Sequence, residues 1–413
     1  MTHRNASRTA SDLRGVSKLA IAATTGITDL VEAMHHNIAR IPGASVSQQD
    51  GRTSGISGFV YRTVRGVTRV VGGGLDAALA LFSPALKDVA DVRGRGALVA
   101  ALNGVLGDYL VESGNPLATT MALRQNGREL TLSRDALTAA LPNVTGKIVV
   151  LAHGLCMNDV QWNRRDADGV YHDHGAALQR DLGYTPIYLQ YNSGLHVSTN
   201  GRAFSNLLEQ LVAAWPVPVE ELTLVMHSMG GLVSRSAHHY AHQTNCGWIK
   251  SLRSMVFLGT PHHGAPLERG GNWVDVILGA TPYAAPFAKL GKIRSAGITD
   301  LRYGSLVDED WRDQDRFALA RDSRKPIPLP PDVQCFAIAA TTGKSDGDLA
   351  DRLLGDGLVP LKSALGQHAG SKPSLRFPRD HQSTVYSTNH MQLLSSPTVY
   401  AEIRRMLSLP APA

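Results

Sequence analysis

The stretch LTLVMHSMGGLVSRS, residues 222–236, decides the reading of this chain. Leu222 to Met226 form a short, mostly apolar run, as in a strand buried on both faces. Gly230 and Gly231 follow, and Leu232-Val233 begin a helical pattern. Ser228 falls on the turn between strand and helix. Nucleophilic serine chemistry needs its hydroxyl on such a turn, projecting above the sheet, with small residues where strand and helix approach. Gly230 meets the downstream requirement, whereas Met226 stands where glycine is common upstream. The rival reading is a serine that merely caps a helix.

Other short apolar runs flank this one: KIVVLA (147–152), TPIYLQY (185–191), SMVFLG (254–259) and VQCFAIAA (333–340). Helical patterns near 173–181, 201–214 and 230–243 lie between them. Such alternation predicts an α/β fold with a mainly parallel sheet covered on both faces, and a site at the carboxyl ends of its strands. The run 147–152 opens into His153-Gly154-Leu155. A developing oxyanion needs preorganised N–H donors, and the expected ones are the backbone groups of Leu155 and of Met229, after the candidate nucleophile. Gly154 lets the backbone approach substrate, and His153 and His227 are further substrate-contact candidates. Cys156 lies on the same loop without an evident base and reads as a packing thiol. His262-His263, in GTPHHG (259–264), lack a partner at metal-ligand spacing and read as loop structure.

The acid and the base are expected downstream. Asp356 sits between two glycines in GDGLVP (355–360), suited to a carboxylate fixed by backbone N–H groups. Asp346, Asp348 and Asp351 are its rivals. His390, in STNHMQLL (387–394), is held by the apolar run after it; His368 and His381 compete with it. Ser228, Asp356 and His390 give the order Ser…Asp…His, which neither chymotrypsin nor subtilisin has. His390 would take the Ser228 proton, and Asp356 would fix the imidazole tautomer.

The remainder bounds the answer. With 413 residues, 43% hydrophobic and 18% charged, the chain is neither collagen, coiled coil nor wholly disordered. Three cysteines make no disulfide framework or zinc site, and no run of 18 apolar residues appears, so a cytoplasmic protein without a spanning helix or secretory signal is expected. Residues 1–70 carry nine Lys/Arg against four Asp/Glu, and the rest 32 against 31, so the bulk shows no nucleic-acid footprint. Apolar spacing predicts helices over 16–38, around 60–82 and near 96–112. The basic second stretch can pack on the main domain or touch an anionic membrane. Residues 1–115 are expected to be a helical extension without a catalytic group. MALRQNGRELTL (121–132) predicts a β-hairpin turning at Asn126-Gly127.

Together HGLCMND…W, VMHSMGG, GTPHHG, DGLVP and NHMQLLS resemble the lipase branch of the α/β-hydrolases, most closely bacterial esterase/lipase proteins similar to the GPI inositol-deacylases. The resemblance covers about 120–413 and implies an α/β-hydrolase domain over 116–413 with a cap or lid at about 265–330. Trp273 and Ile277 in that cap would help form an acyl-binding wall. A serine esterase or lipase acting on a small-molecule or lipid ester, without metal or cofactor, is the function implied. The alternatives are an acyltransferase or amidase using the same residues, and a non-catalytic binding module on this fold.

Overall fold

The computed structural model describes residues 92–165, 169–265, 295–314, 322–345, 355–368 and 373–410. The helices expected over 16–38 and around 60–82 and the apolar cap segment with Trp273 and Ile277 lie outside these residues. Two compact units divide the chain, one of residues 1–95 with 110–118, the other of 96–109 with 119–413. The second carries the site described below. Residues 96–109 of the first described helix, α1 (Val92–Glu112), fall in this second unit.

Ten strands are described: β1 (Ala122–Gln125), β2 (Arg128–Glu129), β3 (Lys147–Ala152), β4 (Arg164–Arg165), β5 (Tyr171–His172), β6 (Thr185–Gln190), β7 (Glu221–His227), β8 (Leu252–Leu258), β9 (Gln334–Ala340) and β10 (Gln382–Val385). Eight of them form one sheet in the order β10-β9-β8-β7-β3-β6-β1-β2. From β10 through β6 every pairing is parallel, and β1 and β2 add an antiparallel edge. The predicted hairpin is that edge. Asn126 and Gly127 take φ of 49° and 70°, the backbone that a tight two-residue hairpin turn requires. The short helix α2 (Arg134–Ala140) follows it, capped by Ser133, whose side chain accepts from Ala136 N–H.

The central strands are apolar on both sides because both faces are covered. Val149, Leu151 and Val225 pack in one cluster with Leu178 of α3 (His174–Leu182) and with Val399, Ile403 and Met406 of the C-terminal helix (Pro397–Leu407). The alternate positions Ile148, Val150 and Leu224 point the other way and are equally buried. Helix α4 (Val197–Ala214) lies against α5 (Met229–Thr244), with Gly201 so near Ser236 that a methyl there would collide with its Oγ. Parallel strands put all their carboxyl ends on one edge, so the loops after β3, β7, β8 and β9 converge there. Among the described residues no helix is long and apolar enough to cross a membrane.

Candidate active site

β7 ends at His227 and α5 begins at Met229, leaving Ser228 alone on the turn. Its backbone has φ 54° and ψ −123°, a conformation non-glycine residues rarely hold, because Cβ crowds the backbone. Although it is the N-cap residue, its side chain makes no cap hydrogen bond. Strain that serves no capping bond is what a projecting nucleophile needs. The turn is held from below, where Ser228 N–H donates to Leu258 O at 2.8 Å. Gly230 explains the downstream small residue. A methyl there would lie 2.5 Å from Ala152 O and 2.6 Å from His153 O, so only glycine lets α5 start this close to the end of β3. Met226 is fully buried.

Asp356 and His390 come together across 34 residues of sequence. His390 Nδ1–H donates to Asp356 Oδ2 at 2.6 Å, and both side chains are buried. Asp356 Oδ1 accepts from Leu358 N–H at 3.0 Å and Val359 N–H at 2.8 Å. Gly355 and Gly357 have φ of 56° and 95°, and this tight turn aims those amides back at the carboxylate. His390 N–H donates to Asp356 O at 3.0 Å, tying the two loops a second time. The pair sits beside the elbow: a methyl on Gly259, next to Leu258, would lie 3.1 Å from Asp356 Oδ2 and 3.2 Å from His390 Cε1. Ser228 Oγ and the His390 ring are not themselves hydrogen-bonded in the described structure. His381 Nδ1–H donates to Cys335 O at 3.1 Å, and His368 lies 3.8 Å from Asp322, so neither rival meets Asp356. Asp346, Asp348 and Asp351 lie outside the described residues.

The loop after β3 closes over the elbow. A methyl on Gly154 would approach Ser228 Cβ and His227 Nδ1 to 3.0 Å each. The N–H groups of Leu155 and Met229 donate to no backbone acceptor among the described residues. Cys156, with φ 60°, follows at once. Its N–H donates to Ser193 Oγ at 3.0 Å, and its thiol reaches Ala101 O at 3.7 Å. Gly104 of α1 presses on it so closely that a methyl would lie 2.9 Å from both Cys156 N and Cα. Asn192 Nδ2 donates to Gly107 O at 3.0 Å, fastening the β6 loop to the same helix. The helical geometry of α1 fails at Leu106, between these two glycines. Burial pushes the Cys156 thiol up to about 12, which disfavours the reactive thiolate. Nothing in the apolar spacing of 96–112 signalled this role, because the contact is made through glycines and backbone carbonyls.

His153 and His227, read from sequence as substrate contacts, are placed otherwise. The His153 ring is fully buried and stacks on Tyr191 at 4.3 Å. Its Nε2 accepts from Tyr191 N–H at 3.3 Å, so Nδ1–H donates to Gly154 O at 2.8 Å. Both nitrogens are committed to backbone. His227 Nε2–H donates to His390 O at 3.0 Å, which holds the backbone of the candidate base. Trp273 and Ile277 lie outside the described residues.

These buried rings make stability sensitive to acid. Burial lowers His153 to about 4 and His174 to about 3, against 6.5 for the free side chain. Between those values the unfolded chain takes up protons that the folded chain refuses, so stability is full above pH 6.5 and falls as pH drops through that window. Each ring contributes about 1.4 kcal/mol per pH unit within it. Urea unfolding at pH 7 and pH 5 should show the loss, and His174→Gln should flatten it. An unchanged slope in that variant would contradict this assignment.

The sequence matches the PGAP1-like alpha/beta domain family over residues 143–396, and the chain belongs to that family. Its sheet, flanking helices and strand order are those of an α/β-hydrolase fold. Solved structures similar to it include the mature lipase BlEst2 of Bacillus licheniformis, at 17% identity and TM-score 0.40, covering 70% of this chain and 98% of that one. Aspergillus fumigatus lipase B is 12% identical with TM-score 0.38, covering 84% and 81%. Phospholipase PlaB of Legionella pneumophila is 15% identical with TM-score 0.36, covering 64% and 60%. No curated protein sequence matches the chain.

Proposed function

We propose that this protein is a serine hydrolase of carboxylic esters that works through an acyl-enzyme on Ser228. The observation that carries the reading is the strained, uncapped Ser228 beside the buried 2.6 Å bond from His390 to Asp356. With Nδ1–H committed to Asp356, the lone pair of the base is on His390 Nε2. That nitrogen takes the Ser228 proton as Oγ attacks the ester carbonyl, through a hydrogen bond that forms as substrate settles. Leu155 and Met229 N–H stabilise the tetrahedral oxyanion. His390 returns the proton to the leaving alcohol, and water, activated by the same ring, releases the acid. Asp356 keeps the tautomer and stabilises the imidazolium. The substrate class is a lipid or small-molecule ester. A chromogenic ester series of rising acyl length tests the reading. Saturable hydrolysis lost in Ser228→Ala is expected, and no turnover on any member would contradict it.

Helix α1 enters this scheme as a brace. Cys156 is the residue after the proposed donor Leu155, and Gly104 sets where its backbone lies. Gly104→Val would drive the loop off, and a shift of about 1 Å in a positioned group costs on the order of 10²-fold in rate. The expected signature is a fall in kcat at nearly constant KM, with Ser228 still open to phosphonylation. A folded Gly104→Val enzyme with normal kcat would show that the loop holds itself.

A further inference from the structure

A cavity of about 850 Å³ lies apart from the Ser228 centre, between α5, the loop after β8 and the extended segment 324–333. None of Ser228, Asp356 and His390 lines it. Its walls carry Ile327, Leu329, Val333 and Leu375, and its inner end carries Arg235 and His262. Arg235 is 5% exposed, yet no carboxylate forms an ion pair with it among the described residues. Its Nη2–H donates to Ile327 O at 2.5 Å and its Nη1–H to His262 Nδ1 at 3.4 Å, while Nε–H has no acceptor.

The histidine sharpens the imbalance. An arginine can only donate, so His262 Nδ1 accepts and the ring proton is on Nε2. That Nε2–H is also buried without an acceptor. Asp310 is the acid that the Arg235 charge senses, but its oxygens accept from Leu306, Val307 and Lys325 N–H at 2.8–3.2 Å. Arg324 is already forked onto Asp322 at 2.9 Å by both Nε and Nη2. At the rim stand exposed Lys325 and Arg376 against exposed Asp380. A buried cation without a counter-charge, next to a donor without an acceptor, is costly unless an anion completes the set.

We propose that this cavity is a second binding site, for an amphiphilic carboxylate: one anionic head against Arg235 and an aliphatic tail along Ile327, Leu329, Val333 and Leu375. A carboxylate fits better than a dianion, because a single guanidinium charge stands at the buried end with its Nε–H unaccepted. The apolar walls are where an alkyl chain leaves water. The site does not depend on Ser228, and free acids from bulk solution or from ester hydrolysis would bind alike.

The test uses octanoate as probe, with octan-1-ol as the uncharged match, titrated calorimetrically into the full-length protein, unlabelled or phosphonylated at Ser228. One octanoate per chain, unaffected by phosphonylation, with octan-1-ol at least about tenfold weaker, is expected from loss of the charge-assisted hydrogen bond. Arg235→Gln should weaken octanoate by about tenfold or more and leave octan-1-ol unchanged. Should that variant fail to fold, Arg376→Glu, an exposed rim change, should still weaken octanoate by roughly threefold at low salt. Absence of saturable octanoate binding overturns the proposal, as does equal affinity for octan-1-ol. Displacement by phosphonylation places the ligand in the acyl site and overturns it too. Wild-type affinity in a folded Arg235→Gln protein does the same. Ester turnover that fails in every form would instead strike the Ser228 reading and leave this site standing.

Discussion

Ser228→Ala is expected to remove ester turnover, by about 10⁶-fold in kcat on the scale known for such serines, while the protein stays folded. The fold survives because the Ser228 hydroxyl makes no cap bond with the helix it precedes, and the alanine variant keeps the backbone bond to Leu258 O. Thermal unfolding separates chemistry from structure here. Alanine retains the strained φ of 54°, so its midpoint should lie near that of the wild type. Ser228→Gly should rise above both, because glycine holds that backbone without strain, a gain on the order of 1 kcal/mol. His390→Ala should lose turnover comparably. Near-normal activity in His390→Ala alongside a dead His381→Ala would move the base to His381.

Asp356→Asn is expected to lower kcat by about 10⁴-fold, the scale for losing the carboxylate of such a site. The geometry fixes the reason. Asp356 Oδ1 accepts two backbone N–H bonds, from Leu358 and Val359, so an asparagine must keep its oxygen there. Its NH₂ then faces His390 Nδ1, which turns from donor to acceptor, and the ring proton moves to Nε2. The base is thereby in the wrong tautomer, with its fold contacts intact. Asp346→Asn and Asp351→Asn should be nearly silent in the same assay. A large loss in Asp351→Asn with a mild one in Asp356→Asn would relocate the acid.

Much of this was legible in the chain because parallel strands announce themselves. Ile148-Val149-Val150-Leu151 are apolar in both directions, and Leu222 to Met226 nearly so, since helices cover both sides of the sheet. The Gly355-Asp356-Gly357 turn was legible for a related reason: two positive-φ positions flanking an acid leave few other uses. Strand β10 was not foreseen. Its Gln-Ser-Thr-Val carries no apolar run, and it pairs because β9 offers a parallel edge. His153 and His227 looked like substrate contacts, since motif position says nothing about which way a ring turns. Both His153 nitrogens and His227 Nε2 are taken up by Tyr191, Gly154 and His390 backbone, partners that only the folded chain supplies. The brace from α1 was hidden likewise. Gly104 and Gly107 read as weak helix positions, and their value lies in the backbone they let come near.

The most direct measurement is peptide mass spectrometry of the full-length protein after reaction with an alkyl fluorophosphonate. A nucleophile activated by His390 should give one adduct, on the peptide holding Ser228, with ester turnover falling in step with labelling. Ser228→Ala should give none. An adduct elsewhere, at Cys156 for example, or ester turnover that persists in a fully labelled protein, would contradict the account.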